Sequence, residues 1–350
     1  METLNIALVS SSGITTPPSG FGGLEMGVFD LGCMLLKMGH EVTLIAPKGS
    51  RLEGGTVWET IDSTQYDFQT QGAKAEYDAS QIYIEKLRSF DIIHDHSWYG
   101  ISYTAKFGNE GLPIAHTHHG HCDWNIKTIP EYIHHLNFFS ISDYIKDENE
   151  KKGIISRRVY NGTNLEKFKG NAEKDNRLLF VGRLNSFKQP HIAIMAAIDT
   201  GIPLDIVAST TFLEVAYQDV VKAWAERSFG MVKLYLNVNN DVKIGLMKKA
   251  MATIMPSGFR EPFGSVAVES MACGVPAIVT RDGGLPEVVG EGPDSGGFIC
   301  DSYEEIVEAI NNIHNIYPER CRKRSELFSR EINANNYLGY YRQILAGGEW

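Results

Sequence analysis

The stretch Pro256–Val289 reads PSGFREPFGSVAVESMACGVPAIVTRDGGLPEVV and contains two strand–loop–helix units in tandem. The apolar runs Ala252–Met255 and Pro276–Thr280 are typical of buried strands in a parallel sheet. A helix is predicted from about Gly264 to Ala272, and a second short helix after Gly283-Gly284. Both helix N-termini would then lie at one edge of the sheet. Open α/β sheets bind ligands at that edge, and N–H groups at helix starts favour phosphate.

Two carboxylates, Glu261 and Glu269, stand eight residues apart in this stretch. The first lies on the loop before the predicted helix, and the second lies about a turn and a half inside it. One carboxylate can therefore meet a sugar hydroxyl at the mouth of a site while the other reaches hydroxyls deeper in. The alternative interpretation is two structural carboxylates beside an ordinary strand-to-helix turn.

The segment EPFGSVAVE, residues 261–269, resembles the Glu-x7-Glu signature of retaining glycosyltransferases of family 4, and the GGLPE that follows the second strand matches as well. The resemblance covers nearly the whole chain and is thinnest from Gly49 to Phe90. It implies the glycosyltransferase-B fold, an α/β architecture of two Rossmann-like domains facing each other across a deep cleft. The implied domains are residues 1–165 on the acceptor side, residues 166–330 on the donor side, and a C-terminal helix, residues 331–350, that crosses back to the first.

Composition narrows the class of protein further. A chain of 350 residues with 43% hydrophobic residues is long enough for two folded domains. The net charge of −10 argues against a general nucleic-acid binder. Five widely spaced cysteines without a CxxC pair indicate a reducing, cytoplasmic setting and no structural zinc. No apolar run approaches a membrane span. The basic run Arg320–Arg324 could touch anionic lipid, but we favour a solvated helix face.

The first strand, Leu4–Val9, leads into a loop that ends at Gly22-Gly23 and a helix. No GxGxxG can be read there, which argues against a nicotinamide-dependent oxidoreductase. The loop resembles the GGxE loop that opens many family 4 enzymes, in which backbone approaches the donor diphosphate. Gly22 and Gly23 would do so here, unless they only make the turn.

Histidines gather where two predicted strands end, at Asp91–His96 and Ile114–Thr117. They are His94, His96, His116, His118, His119 and His121. A metal site is the obvious alternative, but the nearby acids show no ligand spacing, and we expect no metal. The segment Thr117–Gly120 resembles the Thr-x-His-Gly segment whose histidine points toward the donor sugar. The register favours His119 for that position, with His118 as the alternative.

The second domain is predicted to open with the strand Leu178–Arg183, and Lys188 follows five residues later. Two cations at one strand end can bind a diphosphate and stabilise the charge that grows on it as a glycosidic bond breaks. They resemble the Gly-Arg…Lys-Gly pair of the family, with Gln189 in place of the second glycine. The alternative is an ordinary surface arginine and lysine.

Further along, Asn237 stands where relatives usually have glycine, in a loop that lies against the nucleotide base. The resemblance carries base contacts onto Val238. Asp241 is predicted to cap the helix that follows.

The resemblance therefore implies transfer of a sugar from a nucleoside-diphosphate sugar to a hydroxyl acceptor, with retention at the anomeric carbon and no metal or other cofactor. Its catalytic residues would be His119, Arg183, Lys188 and Glu261. Glu261 and the backbone of Phe263 and Gly264 would hold hydroxyls of the donor sugar. The amides of Ser265 and Val266 would face the diphosphate, and Glu269 would bind the ribose.

Two alternatives remain beside this interpretation. A sugar-nucleotide epimerase of the same fold would bind the donor similarly but would need catalytic acids that the sequence does not identify. A nucleotide-sugar-binding protein without transferase activity would not need the histidine. The sugar, the nucleoside, the acceptor and the oligomeric state stay open, as does the choice between a one-face reaction and a covalent intermediate.

Overall fold

The computed structural model describes residues 2–101, 103–104, 110–121, 136–170, 172–210 and 214–348. Two compact units account for the chain. Unit 1 comprises Met1–Gly162 together with Arg330–Trp350, and unit 2 comprises Thr163–Ser329. Each unit is built around its own parallel sheet, so each has its own hydrophobic core.

The sheet of unit 1 has seven parallel strands in the order β3-β2-β1-β4-β5-β6-β7. The strands are β1 (Asn5–Val9), β2 (Glu41–Ala46), β3 (Thr56–Glu59), β4 (Ile92–Asp95), β5 (Ile114–His118), β6 (Asn137–Ser140) and β7 (Arg157–Arg158). The chain runs outward from β1 to β3 and then restarts at β4, on the other side of β1. The loops after β1 and β4 therefore flank the point at which the strand order reverses, where sheets of this kind bind ligands.

The helices described for unit 1 are α1 (Gly23–Lys37), α2 (Phe68–Tyr83), α3 (Asp143–Glu150) and α11 (Arg330–Leu345). Leu24, Val28, Leu31 and Leu35 recur every three or four residues along α1 and are buried. Helix α11 packs against α1 and buries Tyr337, Leu338, Tyr341 and Ile344. The last helix of the chain is therefore part of the core of unit 1.

The sheet of unit 2 has six parallel strands in the order β10-β9-β8-β11-β12-β13. They are β8 (Leu178–Arg183), β9 (Leu204–Ser209), β10 (Val232–Leu236), β11 (Ala252–Met255), β12 (Ala277–Thr280) and β13 (Gly297–Cys300). The helices are α4 (Pro190–Thr200), α5 (Val215–Arg227), α6 (Asn240–Lys249), α7 (Ser265–Ala272), α8 (Leu285–Val289), α9 (Tyr303–Asn311) and α10 (Pro318–Glu326).

The direction of the strand order decides which face of this sheet each helix covers. The connections from β8 to β10 step one way, and those from β10 to β13 step back the other way. Because such crossovers are right-handed, α4 and α5 lie on one face, and α6 and α7 lie on the opposite face. Consistently, α4 packs on α5, while α6 and α7 both pack on the turn Leu165–Phe168. The strand order reverses between β8 and β11, so the loops after these two strands define the ligand-binding edge.

The basic run on α10 contributes to the fold of unit 2. Arg320 donates to the carbonyl oxygens of Ser295, at 3.2 Å, and Gly292, at 2.9 Å. Arg324 donates to the carbonyls of Val288, at 2.9 Å, and Glu287, at the C-terminal end of α8. Cations are stabilising at that end of a helix. Among the residues described, no helix has the length and apolar character that crossing a bilayer requires.

The predicted fold class of two Rossmann-like α/β domains is confirmed. One local prediction is wrong: the cap of α6 is Asn239, whose side chain accepts from the amide of Val242 at 3.0 Å, and Asp241 lies inside the first turn. Asn239 keeps an extended backbone, as capping requires, and its amide oxygen is as good an acceptor as a carboxylate.

Candidate active site

An ion pair joins the two loops at the reversal point of unit 2. Lys188 follows β8, Glu261 follows β11, and the ammonium of Lys188 contacts Glu261 Oε2. The two side chains are 23% and 16% exposed, so the pair is partly shielded from water and yet open to a ligand. The structure therefore brings together two of the residues that the sequence assigns to catalysis.

A second ion pair holds the other predicted carboxylate. Glu269 on α7 accepts from Lys243 on α6 through both oxygens, at 3.1 and 2.9 Å, and both side chains are about 15% exposed. Sequence analysis missed Lys243. The available signal was its position five residues after Val238, in the first turns of the helix that opens beside the predicted base loop. Glu269 is therefore oriented by a cation before any ligand arrives.

The start of α7 is shaped by Gly264. This residue has a φ of 110°, and a Cβ there would lie 2.6 Å from Leu285 Cδ2, so only glycine fits. The amides of Ser265 and Val266 donate to no group in the described part of the chain. The side chain of Phe263 is buried against Phe328, which leaves its backbone as the part available to a ligand.

The loop that carries Glu261 is held by direct contact between backbones. Gly284 donates its amide to the carbonyl of Glu261 at 2.7 Å. A Cβ on Gly283 would lie 2.2 Å from that carbonyl oxygen, and one on Gly284 would lie 2.8 Å from the carbonyl oxygen of Pro262. The two glycines after β12 therefore position Glu261 and the start of α7 by close approach.

Two positions where the sequence departs from glycine keep the backbone conformation that glycine favours. Gln189 has a φ of 49°, and Asn237 has a φ of 53°. Asparagine tolerates this left-handed region better than most residues, whereas glutamine is strained there by about 1–2 kcal/mol. At both positions the backbone therefore has the left-handed conformation that glycine adopts without steric cost. Val238 itself is half-buried just before the α6 cap.

Arg183 is the last residue of β8 and has an exposed side chain. Its guanidinium makes no hydrogen bond or ion pair with any side chain described here. It is therefore available to bind an anionic ligand at the end of β8, the strand that the Lys188 loop follows.

In unit 1, the two glycines before α1 differ in what surrounds them. A Cβ on Gly22 would lie 2.6 Å from Ile14 and 2.8 Å from Pro18, whereas one on Gly23 would meet nothing within 4 Å. Packing within the loop thus requires a glycine at position 22, whereas open space adjoins Gly23. Nearby, buried Glu25 accepts a hydrogen bond of 2.6 Å from Ser11, and burial raises the pKa of its carboxyl.

His94 lies at the centre of a buried hydrogen-bond network. Its Nδ1 lies 2.6 Å from the hydroxyl of Tyr341, and its Nε2 lies 2.7 Å from Thr117 Oγ1. The hydroxyl of Tyr337 lies 2.9 Å from the same threonine oxygen. These contacts tie β4 and β5 to α11. The resemblance implies that the C-terminal helix crosses back to the first domain, but sequence analysis did not anticipate these hydrogen bonds because the tyrosines lie more than 200 residues away.

The two histidines that the sequence proposes for the donor sugar occupy different positions. His118 is 1% exposed and meets Trp98 edge to face. His119 is half-buried, and its Nε2 lies 3.0 Å from His96 Nδ1. Burial and the neighbouring imidazoles lower the pKa of both His118 and His119 to about 3. His119 is thus the more accessible of the two histidines. It is also the one that the register of the motif favours for the position near the donor sugar.

Two carboxylates near the histidines, Asp95 and Glu76, accept hydrogen bonds from the loop after β4. Asp95 accepts from Ser97 N, at 2.8 Å, and from the hydroxyls of Ser97 and Thr104. Buried Glu76 accepts from three successive amides, of Trp98, Tyr99 and Gly100, and burial raises its pKa to about 8. Within the described ranges, no group of three or more histidines, cysteines and acids is arranged to hold a metal ion.

Comparison with known proteins identifies the family of the chain. A family model described as glycosyl transferases group 1 matches residues 163–327, and one described as glycosyltransferase family 4 matches residues 21–167. The chain belongs to the glycosyltransferases of the B fold. The two matches together span both units of this glycosyltransferase, including the Glu261–Glu269 segment and the histidine run.

Individual relatives are distant. An uncharacterised glycosyltransferase of Methanocaldococcus jannaschii is 33% identical over 55% of each chain. The N-acetyl-α-D-glucosaminyl L-malate synthase of Bacillus anthracis is 24% identical over 95% of this chain and 97% of its own.

Among solved structures, the sucrose-phosphate synthase of Thermosynechococcus elongatus has a TM-score of 0.79 at 19% identity, over 99% of this glycosyltransferase and 100% of that chain. The Anabaena protein HepE in complex with UDP has a TM-score of 0.76 at 18% identity, over 97% and 100%. These likenesses show the fold.

The histidine network predicts that this glycosyltransferase loses stability in acid. Four histidines, His94, His96, His118 and His119, have pKa values below the ordinary value of about 6.5. The largest cause is burial, which disfavours the charged imidazolium. The unfolded chain therefore binds more protons below pH 6.5. Stability is fully present above that pH and is lost as the pH falls toward 3, by about 1.4 kcal/mol per pH unit for each imidazole that stays neutral.

Denaturant unfolding followed between pH 7.5 and 5 checks this expectation. The carboxyls of Glu25, Glu76 and Asp282, whose pKa values are raised by burial, act in the opposite direction over part of the range, but the four imidazoles outnumber them. His118→Asn should flatten the pH dependence, whereas His314→Asn, at an exposed position in unit 2, should leave it unchanged. A wild-type stability that is level from pH 7 to pH 5 would contradict the role of the network.

Proposed function

We propose that this protein transfers a hexose from a nucleoside-diphosphate sugar to a hydroxyl acceptor with retention of anomeric configuration. The observation that carries the proposal is the Lys188–Glu261 pair at the reversal point of the unit 2 sheet, beside the amides that open α7 and that donate to none of the described residues. A diphosphate needs cations and backbone donors, and a sugar needs a carboxylate acceptor. Both requirements are met by neighbouring loops.

In this proposal the diphosphate lies against Arg183, Lys188 and the amides of Ser265 and Val266. The amides are fixed by the helix start and Lys188 by its contact with Glu261, so these groups need little rearrangement when negative charge develops on the leaving phosphate. They also supply local positive charge in a chain whose net charge is −10. Because Lys188 already contacts Glu261, one ammonium would bridge the leaving group and the carboxylate that holds the transferred sugar.

Glu269 is assigned to the ribose hydroxyls, with Lys243 holding its carboxylate in place. Glu261 and the backbone at Phe263 and Gly264 are assigned to hydroxyls of the transferred sugar. The base would lie near Val238, whose loop adjoins α6. By resemblance, Gly23 is assigned to the diphosphate and His119 to the donor sugar, and for Gly23 the open space around its Cα supports the assignment.

The retained configuration is proposed from the family resemblance. The leaving phosphate would take the proton of the acceptor hydroxyl on the same face of the sugar from which it departs. Bond breaking would precede bond making, and Arg183 and Lys188 would stabilise the phosphate until it accepts the proton. Names of relatives leave the nucleoside open: HepE was crystallised with UDP, whereas a mannosyltransferase of Mycobacterium tuberculosis, 38% identical over 27% of this chain, is named as GDP-mannose-dependent.

Arg183→Ala and Lys188→Ala should each lower kcat by roughly a hundredfold or more, which is the usual effect of removing one donor from a site of developing charge. Lys222→Ala, at a surface lysine on α5, should leave the rate unchanged. Transfer rates measured with a panel of nucleotide sugars, with circular dichroism to check folding, test the assignment. Near-normal rates in both folded variants would remove these residues from the diphosphate site.

Glu261→Gln and Glu269→Gln should separate the two carboxylates. Loss of the ribose contact should weaken binding of the free nucleoside diphosphate and raise donor KM more than it lowers kcat, because the ribose does not react. Glu261→Gln should lower kcat and bind the free nucleoside diphosphate almost normally. Calorimetry with UDP and GDP compares them, and equal losses of affinity or the reverse order would show that the roles are assigned wrongly.

Transfer should survive removal of divalent cations, because arginine, lysine and a helix N-terminus supply the positive charge that a metal otherwise provides. The measurement is the transfer rate after treatment with EDTA, compared with the rate after manganese or magnesium is added back. A rate abolished by the chelator and restored by either metal would contradict the metal-independent mechanism.

A further inference from the structure

Two phenylalanines form an exposed aromatic pair beside the Lys188–Glu261 pair. Phe187 and Phe259 are 49% and 45% exposed, and their ring centroids lie 4.9 Å apart with the planes inclined by 48°. They come from the two loops that flank the reversal point of the unit 2 sheet. Apolar side chains of this size that stay exposed together at a binding edge indicate a contact surface for a ligand.

The loops that present the pair are fixed by hydrogen bonds. Gly258 donates its amide to the carbonyl of Phe187 at 3.0 Å, which joins one loop to the other. Lys188 donates its amide to Asn185 Oδ1 at 3.0 Å, and Ser186 donates its amide to Glu214 Oε2 at 2.7 Å. The two rings are therefore held in place before a ligand binds, which reduces the entropy lost on binding.

The position of the pair separates it from the groups assigned to the nucleoside. Phe187 precedes α4, and its loop is tied to Glu214, the residue before α5. Val238, which is assigned to the base, follows β10, and β10 is two strands from β8 and three from β11, the strands that the two phenylalanines follow. Lys188 and Glu261 follow the two phenylalanines within one and two residues. A ligand on the pair would thus lie next to the transferred sugar and away from the base.

We propose that Phe187 and Phe259 form a stacking platform for a pyranose ring of the acceptor, so that the preferred acceptor is itself a glycoside. The inference rests on the proposed transferase function and departs from the resemblance, which implies residues 1–165 as the acceptor side. The face of an aromatic ring carries partial negative charge and the C–H groups on one face of a pyranose carry partial positive charge, so the two stack while the sugar hydroxyls remain in water. Such a contact fixes the acceptor ring without hydrogen bonding to the hydroxyl that must react.

Saturation-transfer-difference NMR tests the platform directly, with methyl α-D-glucopyranoside, methyl α-D-mannopyranoside and methyl β-D-galactopyranoside as probes. The full-length protein is saturated in its aromatic region in the presence of UDP or GDP. Signal should pass to the ring protons of at least one glycoside and fall at least fivefold in Phe187→Ala and in Phe259→Ala. Phe187→Trp, which keeps an aromatic face, and Phe229→Ala, at a fully exposed phenylalanine elsewhere in unit 2, should retain it.

Absence of signal in the wild type, or signal unchanged in both alanine variants, would overturn the proposal. Calorimetry with UDP and GDP should give affinities within twofold of wild type in the alanine variants. A tenfold loss would instead assign the pair to the nucleobase and would overturn the proposal too. Release of nucleoside diphosphate from UDP-glucose and GDP-mannose by the wild type is measured in parallel. That release tests the transferase function separately from the platform.

Discussion

The edge of the unit 2 sheet at which the strand order reverses depends on backbone packed directly against backbone. Gly283 and Gly284 approach the Glu261–Pro262 peptides so closely that a single Cβ would overlap main-chain atoms, which cannot move aside as a side chain can. A side-chain contact acts at Gly264, where a Cβ would meet Leu285 Cδ2 in the helix that follows the two glycines. Glu261, the start of α7 and the second glycine loop are therefore packed directly against one another.

Charge at this edge is arranged in compensated pairs. Each of the two motif carboxylates contacts a lysine from another element, Lys188 or Lys243, and all four side chains are less than a quarter exposed. Partly buried charges are tolerated when they are paired, and breaking such a pair leaves the remaining charge poorly solvated. The carboxylates are thereby oriented in advance, and local positive charge is retained in a protein that is itself strongly acidic.

Unit 1 is organised differently, around buried imidazoles. His94 joins two strands to Tyr341 of the last helix, and Thr117 joins the same strands to Tyr337. A neutral imidazole can donate from one nitrogen and accept at the other, so it satisfies two partners in a core where a charged group would be destabilised. The lowered pKa values of these imidazoles predict sensitivity to acid, and the hydrogen bonds hold β4 and β5 against α11.

The sequence by itself determined three strands of unit 2, β8, β11 and β12, and the position of Glu261 before a helix and Glu269 within it. These follow from local signals, apolar runs and a motif whose spacing is short, whereas the fold class followed from the resemblance of that motif to a known family. Only the tertiary structure decided what each residue contacts. Lys243 reaches Glu269 from 26 residues away, Tyr341 reaches His94 from 247, and Phe187 meets Phe259 across two loops. Such pairings depend on strand order and crossover handedness, which bring distant loops to one sheet edge and leave no periodic trace in the chain.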